Sequence, residues 1–412
     1  MSRLLPAIAL LCLPAIALHA TENTASVDTD LVKQSVSLRD VAMQNSNAWD
    51  ILESLTQEVG PRLAGSPGDQ AAVAWAMLKM QELGFENVRA QDVTVPHWER
   101  GQLSVQITSP HPQPLVAVAL GGSVGTGEEG IEAPVLMVQN LEELAKLSAS
   151  QVEGTIVFLP GRMERHKDGS GYGPAVAKRG SGASIAASLG ARALVIRSVG
   201  TDNNRIGHTG AMRYDPAQPR IPAVALSNPD SDILEYQLSQ GQPVSLRIAL
   251  SARHLDPARS ANVIGEIPGS DLPDEIVIIG GHLDSWDLGT GAIDDGAGVA
   301  ITMEAARQIL LSGKRPKRTI RVVLFANEEF GLSGAKEYGR LADVEKHIIG
   351  IEADFGPGAV YELGSQVAPE SLYKVEAMQA MLADMGIEPG SNTAGGGADI
   401  SPLRKAGMPV LS

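Results

Sequence analysis

Cysteine is all but missing: the 412-residue chain has one, Cys12. It sits in MSRLLPAIALLCLPAIALHA, a segment with one Arg, a short apolar run broken by Pro6 and Pro14, and small residues at Ala15, Ala17 and Ala20. That pattern reads as a secretory leader, residues 1–20. Leu11 stands where a lipoprotein site needs a small residue before the cysteine. A chain cleaved after this leader keeps no cysteine, which excludes disulfides and thiol chemistry. An exported protein without disulfides fits secretion or a bacterial periplasm. No later stretch is long and apolar enough to span a membrane, so no stable membrane association is expected after cleavage. Positive charge is also short: 33 Lys and Arg against 48 Asp and Glu, a formal net charge of −15. Nucleic acid is therefore not an expected partner, because phosphate recognition needs a basic face. No internal repeat is evident.

What is present is an ordinary globular composition, 43% apolar and 20% charged. The length calls for two domains, or one large domain with an insertion. After the leader, residues 21–110 read as the first part of an α/β domain. NAWDILESLTQEVG and GDQAAVAWAMLKMQELG carry apolar residues at three- and four-residue spacing and end in Gly, so both are expected helices. PRLAGSPG between them is a Pro/Gly loop. ENVRAQDVTVPHW and LSVQITSP alternate as strands do. Residues 111–255 change texture: short β-rich runs such as GTIVFLPG, ARALVIRS and IPAVALS alternate with one expected helix, GASIAASLG. Residues 256–412 return to strand–helix–strand order, with NVIGEIPG, EIVIIGGH, RTIRVVLFA and HIIGIEAD as strands. Near-continuous β-branched strands between helices imply a mixed, mostly parallel sheet covered by helices on both faces. Sites in such sheets form beyond the carboxyl ends of the strands.

The charged motifs fall at those ends. His282 and Asp284 follow one strand; a carboxylate beside a metal-binding histidine fixes its ring. Asp294 and Asp295 follow in a glycine loop before a helix, where Asp295 serves as N-cap and Asp294 is left facing the cleft. Glu328 and Glu329 follow the next strand. Consecutive residues leaving a strand point to opposite sides, so one Glu binds metal while the other faces a water. Glu352 and Asp354 end a further strand. Oxygen-rich ligands with a single His per metal suit two zinc ions sharing a carboxylate.

Taken together, GGHLDSWDLGTGAIDDGAGVA, LFANEEFGLSGA, IEADFG and GGGADISPL resemble the M28 family of zinc aminopeptidases, in particular its carboxypeptidase Q-like branch. The resemblance covers most of the chain after residue 46. EGTIVFLPG, GARALVIRS and RIPAVALS look like a protease-associated domain inserted in the peptidase domain. The family's pattern implies that His282 binds one zinc, Asp294 bridges both, Glu329 binds the second and Asp354 the first. It implies Glu328 as general base, Asp284 as support for His282, and a cis Asp294–Asp295 peptide. Asp399 and His208 are further candidates for the substrate pocket. The expected activity is that of a dizinc exopeptidase acting on dipeptides or short peptides, with a homodimer as candidate assembly.

This sequence departs from the family pattern in one respect. The family's second zinc takes a further histidine downstream of GGGAD, and none of the eight histidines here lies after His347. A sequence incomplete at its C-terminus is the expected explanation. Two alternatives stay open: a non-catalytic scaffold, and a single-zinc acyltransferase of the glutaminyl cyclase type.

Overall fold

The structure is a computed structural model, and it describes residues 27–412. The leader expected at residues 1–20 lies outside the described residues. Among the described residues no helix is long and apolar enough to cross a membrane.

Two sheets organise the chain. A seven-stranded sheet has the order Glu86–Glu99, Arg253–Ile267, Arg318–Phe325, Leu272–His282, His347–Glu352, Val410–Leu411, Ser365–Gln366. Its four central strands, from Arg318–Phe325 to Val410–Leu411, run parallel. The flanking pairs are antiparallel, so the sheet is mixed, as expected. Both faces are covered. Val322 and Leu324 pack with Val263 under Trp75, Met80, Val299 and Met303 of helices Pro67–Glu82 and Ala297–Leu311. Val323, Phe325 and Ile278 pack on the other side with Tyr338 and Leu403, from helices Ser333–Leu341 and Ser401–Lys405. This two-sided burial is why these strands read as continuous apolar runs rather than alternating ones. Each fully buried Val, Leu or Ile contributes about 1.5–3 kcal/mol.

Residues 103–250 leave this sheet after Glu99 and return at Arg253, and those two residues pair in register. They form an eight-stranded sheet with its own two-faced core: Ile156 and Phe158 face Leu234, while Val157 and Leu159 face Ala183 and Ala186. This unit is more helical than the sequence suggested. The expected GASIAASLG helix is the second half of Tyr172–Ser188, and Asn228–Ser239 is a further helix. The small residues of YGPAVAKRGSG hide the first half: they give weak apolar periodicity, and the glycines resemble loop punctuation. Asn228–Ser239 begins with Asn-Pro, which reads as a turn, although Pro at the first helical turn is tolerated. Ser227 caps that helix by accepting from the Asp230 N–H. Helix Thr29–Gln44, which was not expected, buries none of its residues.

Candidate active site

The register of the central strands brings the chemistry together. His282 lies opposite Phe325 and Gly280 opposite Glu352, so three parallel strands end at one level. His282 is fully buried. Its ring is oriented from behind by the Asp284 carbonyl, 3.0 Å from Nδ1. Nε2 thereby faces Asp294 Oδ1 at 2.9 Å and Asp354 Oδ1 at 3.5 Å. Burial disfavours an imidazolium here, and the Asp284, Asp294 and Asp354 carboxylates outweigh it, holding the His282 pKa well above the usual value.

The two adjacent aspartates divide their work. Asp295 is buried; its Oδ1 accepts the Gly298 N–H at 3.0 Å, which caps helix Ala297–Leu311, and its Oδ2 accepts the His282 N–H at 3.0 Å. Burial pushes Asp295 up to about 8. Asp294 is free of such bonds to the backbone and opens to the cleft, and the peptide between the two is cis. The helix start approaches the strand so closely that only glycine fits. A Cβ on Gly281 would lie 2.6 Å from Asp295 Oδ2, and one on Gly298 1.7 Å from the Ala353 carbonyl.

Glu328 and Glu329 follow the strand Arg318–Phe325. The chain turns after Asn327, whose φ is 60°, and both glutamates line the same cleft as Asp294 and Asp354. Asp284 Oδ1 accepts the Glu328 N–H at 2.9 Å, tying the two strand ends together. Burial raises Glu328 to about 7, and burial with the Asp294 charge raises Glu329 to about 9. Glu329 Oε1 and Asp284 Oδ2 are buried without a hydrogen-bond partner.

This donor set fits a divalent cation. Donor atoms of His282, Asp294 and Glu329 lie within 4.8 Å of one another, and so do those of His282, Asp295 and Asp354. Because both Asp295 oxygens already accept N–H groups, Asp294 and Asp354 are the acids left for the ion that His282 Nε2 faces. One imidazole with carboxylates is a zinc-type set, and unpaired buried carboxylate oxygens are costly without a cation.

The two substrate-pocket candidates sit elsewhere. Asp399 is buried beside Glu352 rather than on the cleft wall: its N–H donates to Glu352 Oε2 at 2.7 Å, and its own oxygens have no partner. Burial, then Glu352, pushes its pKa well above the usual range. His208 is hydrogen-bonded to Asp202 at 2.7 Å and is not among the cleft-lining residues.

Sequence reasoning missed Arg62. It lies in the PRLAGSPG loop, yet it is fully buried and donates to the carbonyls of Leu283, Thr290 and Gly291, which hold the segment between His282 and Asp294. Burial lowers it to about 10, and it stays charged because Asp284, Asp295, Asp294 and Glu329 surround it. An arginine between Pro61 and Leu63 in a glycine-rich loop was the available signal. Also missed was the aromatic seam beside Glu329. Phe330 packs between Trp98, 6.0 Å away, and Trp286, 5.6 Å away; Arg100 lies over both indoles and pairs with Asp287 at 2.6 Å.

Fold and donor set together define a metal-dependent hydrolase. The profile of peptidase family M28 matches residues 262–412. Carboxypeptidase Q of Rattus norvegicus is 36% identical over 388 residues, which is 93% of this chain and 80% of that protein. Carboxypeptidase Q of Homo sapiens is 34% identical over the same shares. Among solved structures, a peptidase M28 precursor from Shewanella amazonensis SB2B is 46% identical and superposes with a TM-score of 0.91, covering 93% of this chain and 87% of that one. A zinc aminopeptidase from Bacillus subtilis, 21% identical, shares the fold at a TM-score of 0.63 over 88% of this chain and 84% of its own. The chain belongs to peptidase family M28. It is a metallopeptidase, and peptides are its substrates.

Proposed function

We propose that the protein is a dizinc exopeptidase that hydrolyses dipeptides and short peptides with a free N-terminus. His282, Asp294 and Asp354 would hold one ion, and Asp294 with Glu329 the other. The observation that carries this reading is the convergence of these four side chains and Glu328 on one cleft. Zinc bound there supplies a Lewis acid that polarises the scissile carbonyl and acidifies a water.

The chain's own residues do the rest. Glu328, raised to about 7 by burial, is poised to exchange a proton near neutral pH. It takes the proton of the attacking water and gives it to the leaving amine. Asp284 positions both the His282 ring and the Glu328 backbone. Residues 111–255 act as a protease-associated domain, from which Tyr172, Ser181 and Tyr214 line the same cleft as the acids and form its second wall. That wall narrows access to chain ends and small peptides. The leader-like residues 1–20 support a site of action outside the cytoplasm.

The test is Glu328→Gln, assayed on dipeptides with bound zinc measured in parallel. Peptide hydrolysis is expected to fall by about 10²–10⁴-fold while zinc stays bound. A mutant as active as wild type removes Glu328 from the mechanism. Both donor sets share His282, so the zinc count per chain separates this reading from a single-zinc acyltransferase: two ions and released amino acids are expected.

A further inference from the structure

We propose that Arg179 anchors the free α-carboxylate of a short peptide and so decides which peptides the cleft accepts. This rests on the exopeptidase reading and adds a subsite to it. The cleft, of about 1160 Å³, is lined by two groups of residues from different parts of the chain, the second of which also includes Arg213 and Asp215. Asp294, Glu328, Glu329 and Asp354 form one. Helix Tyr172–Ser188 contributes Arg179 to the other.

Arg179, half-buried, differs from three other arginines of its unit, the buried Arg197 and the exposed Arg162 and Arg205. Arg162 and Arg197 share Asp232, and Arg205 pairs with Asp230. Arg179 has no carboxylate partner among the described residues. It is held instead by neutral groups: Nη1 donates to the Thr209 carbonyl at 3.2 Å and Nη2 to the Tyr172 hydroxyl at 2.8 Å. Its guanidinium lies 5.7 Å from the Tyr172 ring centre. Nε is buried without a partner. A guanidinium carries five N–H donors, so two contacts fix its position and leave its capacity for an anion unspent. A held, uncompensated cation on a cleft wall is a pre-organised carboxylate receptor.

The exopeptidase reading places the free amine on the side of the metal-holding acids, so the cleft as a whole matches a zwitterion. A peptide with a free amine at one end and a free carboxylate at the other satisfies both walls at once. A blocked C-terminus leaves Arg179 unpaired. Recognition of both ends also selects length, because the two anchors are fixed in space.

The experiment uses the zinc-loaded full chain, an unblocked dipeptide and the same dipeptide as its C-terminal amide. Wild type is expected to prefer the free acid by tenfold or more in kcat/KM, through KM. Arg179→Met is expected to erase that preference, by raising KM for the acid at least tenfold more than for the amide. Arg179→Lys recovers part of it, since lysine keeps the charge and loses the fork. A variant that merely misfolds loses both substrates equally, and equal loss overturns the proposal. Wild type that cleaves both substrates without preference overturns the subsite alone, whereas wild type that cleaves neither overturns the exopeptidase reading together with it.

Discussion

Replacing Arg62 with methionine asks how far one buried cation holds the candidate metal site in shape. The side chain is fully buried and donates to three carbonyls of the segment from Leu283 to Gly291, with Thr290 at 2.6 Å and Gly291 at 2.8 Å. Methionine fills much of the volume, so little of the loss is cavity. Each buried carbonyl left without a donor costs about 1–3 kcal/mol. Part of this returns as water reaches the exposed residues 288–290. The charge loss adds to it, since Asp284, Asp295, Asp294 and Glu329 all act on Arg62. With three carbonyls unpaired and part of the loss returned by water, a net cost of about 3–5 kcal/mol is expected, a large share of the roughly 5–15 kcal/mol that separates folded from unfolded domains. Urea unfolding followed by tryptophan fluorescence measures the change, with dipeptide hydrolysis assayed on the same samples. Arg62→Lys is expected to recover less than half, because one ammonium cannot reach three carbonyls from the position of a fork. A methionine variant within about 1 kcal/mol of wild type and still active would refute the reasoning.

Three further expectations follow from the same geometry. Gly298→Ala places a Cβ 1.7 Å from the Ala353 carbonyl; overpacking against backbone is expected to destabilise by about 1–3 kcal/mol or more, with activity falling as the Asp295 and Asp354 segments are pushed apart, and an unchanged Tm would contradict the packing. Asp69 is raised from 3.8 to about 6, chiefly by burial, so the stability tied to its protonated form is complete below about pH 4 and lost as pH rises through about 6. Wild type is therefore expected to lose stability relative to Asp69→Asn across that window, by at most about 3 kcal/mol, whereas parallel pH–stability curves would show no shifted group. Arg100→Met unpairs Asp287 and uncovers Trp98 and Trp286; since Asp287 is partly exposed, a loss of about 1–3 kcal/mol is expected, below that of a fully buried pair, together with a changed tryptophan emission, and an unchanged spectrum would deny the stacking.

The parallel core was legible because its strands are buried on both faces: IVIIGG and IRVVLF admit few other readings, and a carboxyl end is a fixed place for a site. His282, Asp294, Glu328, Glu329 and Asp354 all meet there. What escaped the sequence was less periodic. Helix Tyr172–Ser188 was half seen because its first turns are glycine and alanine. That Glu328 and Glu329 line one cleft depends on the turn at Asn327, and strand alternation carries no information past the last paired residue. Arg62 was hidden for a deeper reason. Its partners are backbone carbonyls more than 220 positions away, and a carbonyl has no residue type to read. Asp399 followed a motif to the right neighbourhood, yet only packing shows that it is buried against Glu352 instead of facing the cleft.

The pairing of Glu99 with Arg253 bears on how the chain folds. The ribbon between Glu86–Glu99 and Arg253–Ile267 joins partners 154 positions apart where Arg253 meets Glu99, and this ribbon anchors one edge of the catalytic sheet. Held open as a random coil, a connection that long imposes a large closure entropy and slows nucleation. Residues 103–250 form a compact body with its own core and with termini side by side, so once that body has formed the effective loop shrinks to a few residues. The cleft's second wall is then also a folding aid. Substitutions deep in its sheet, far from any carboxylate, are expected to slow the appearance of activity during refolding more than they lower the activity finally reached.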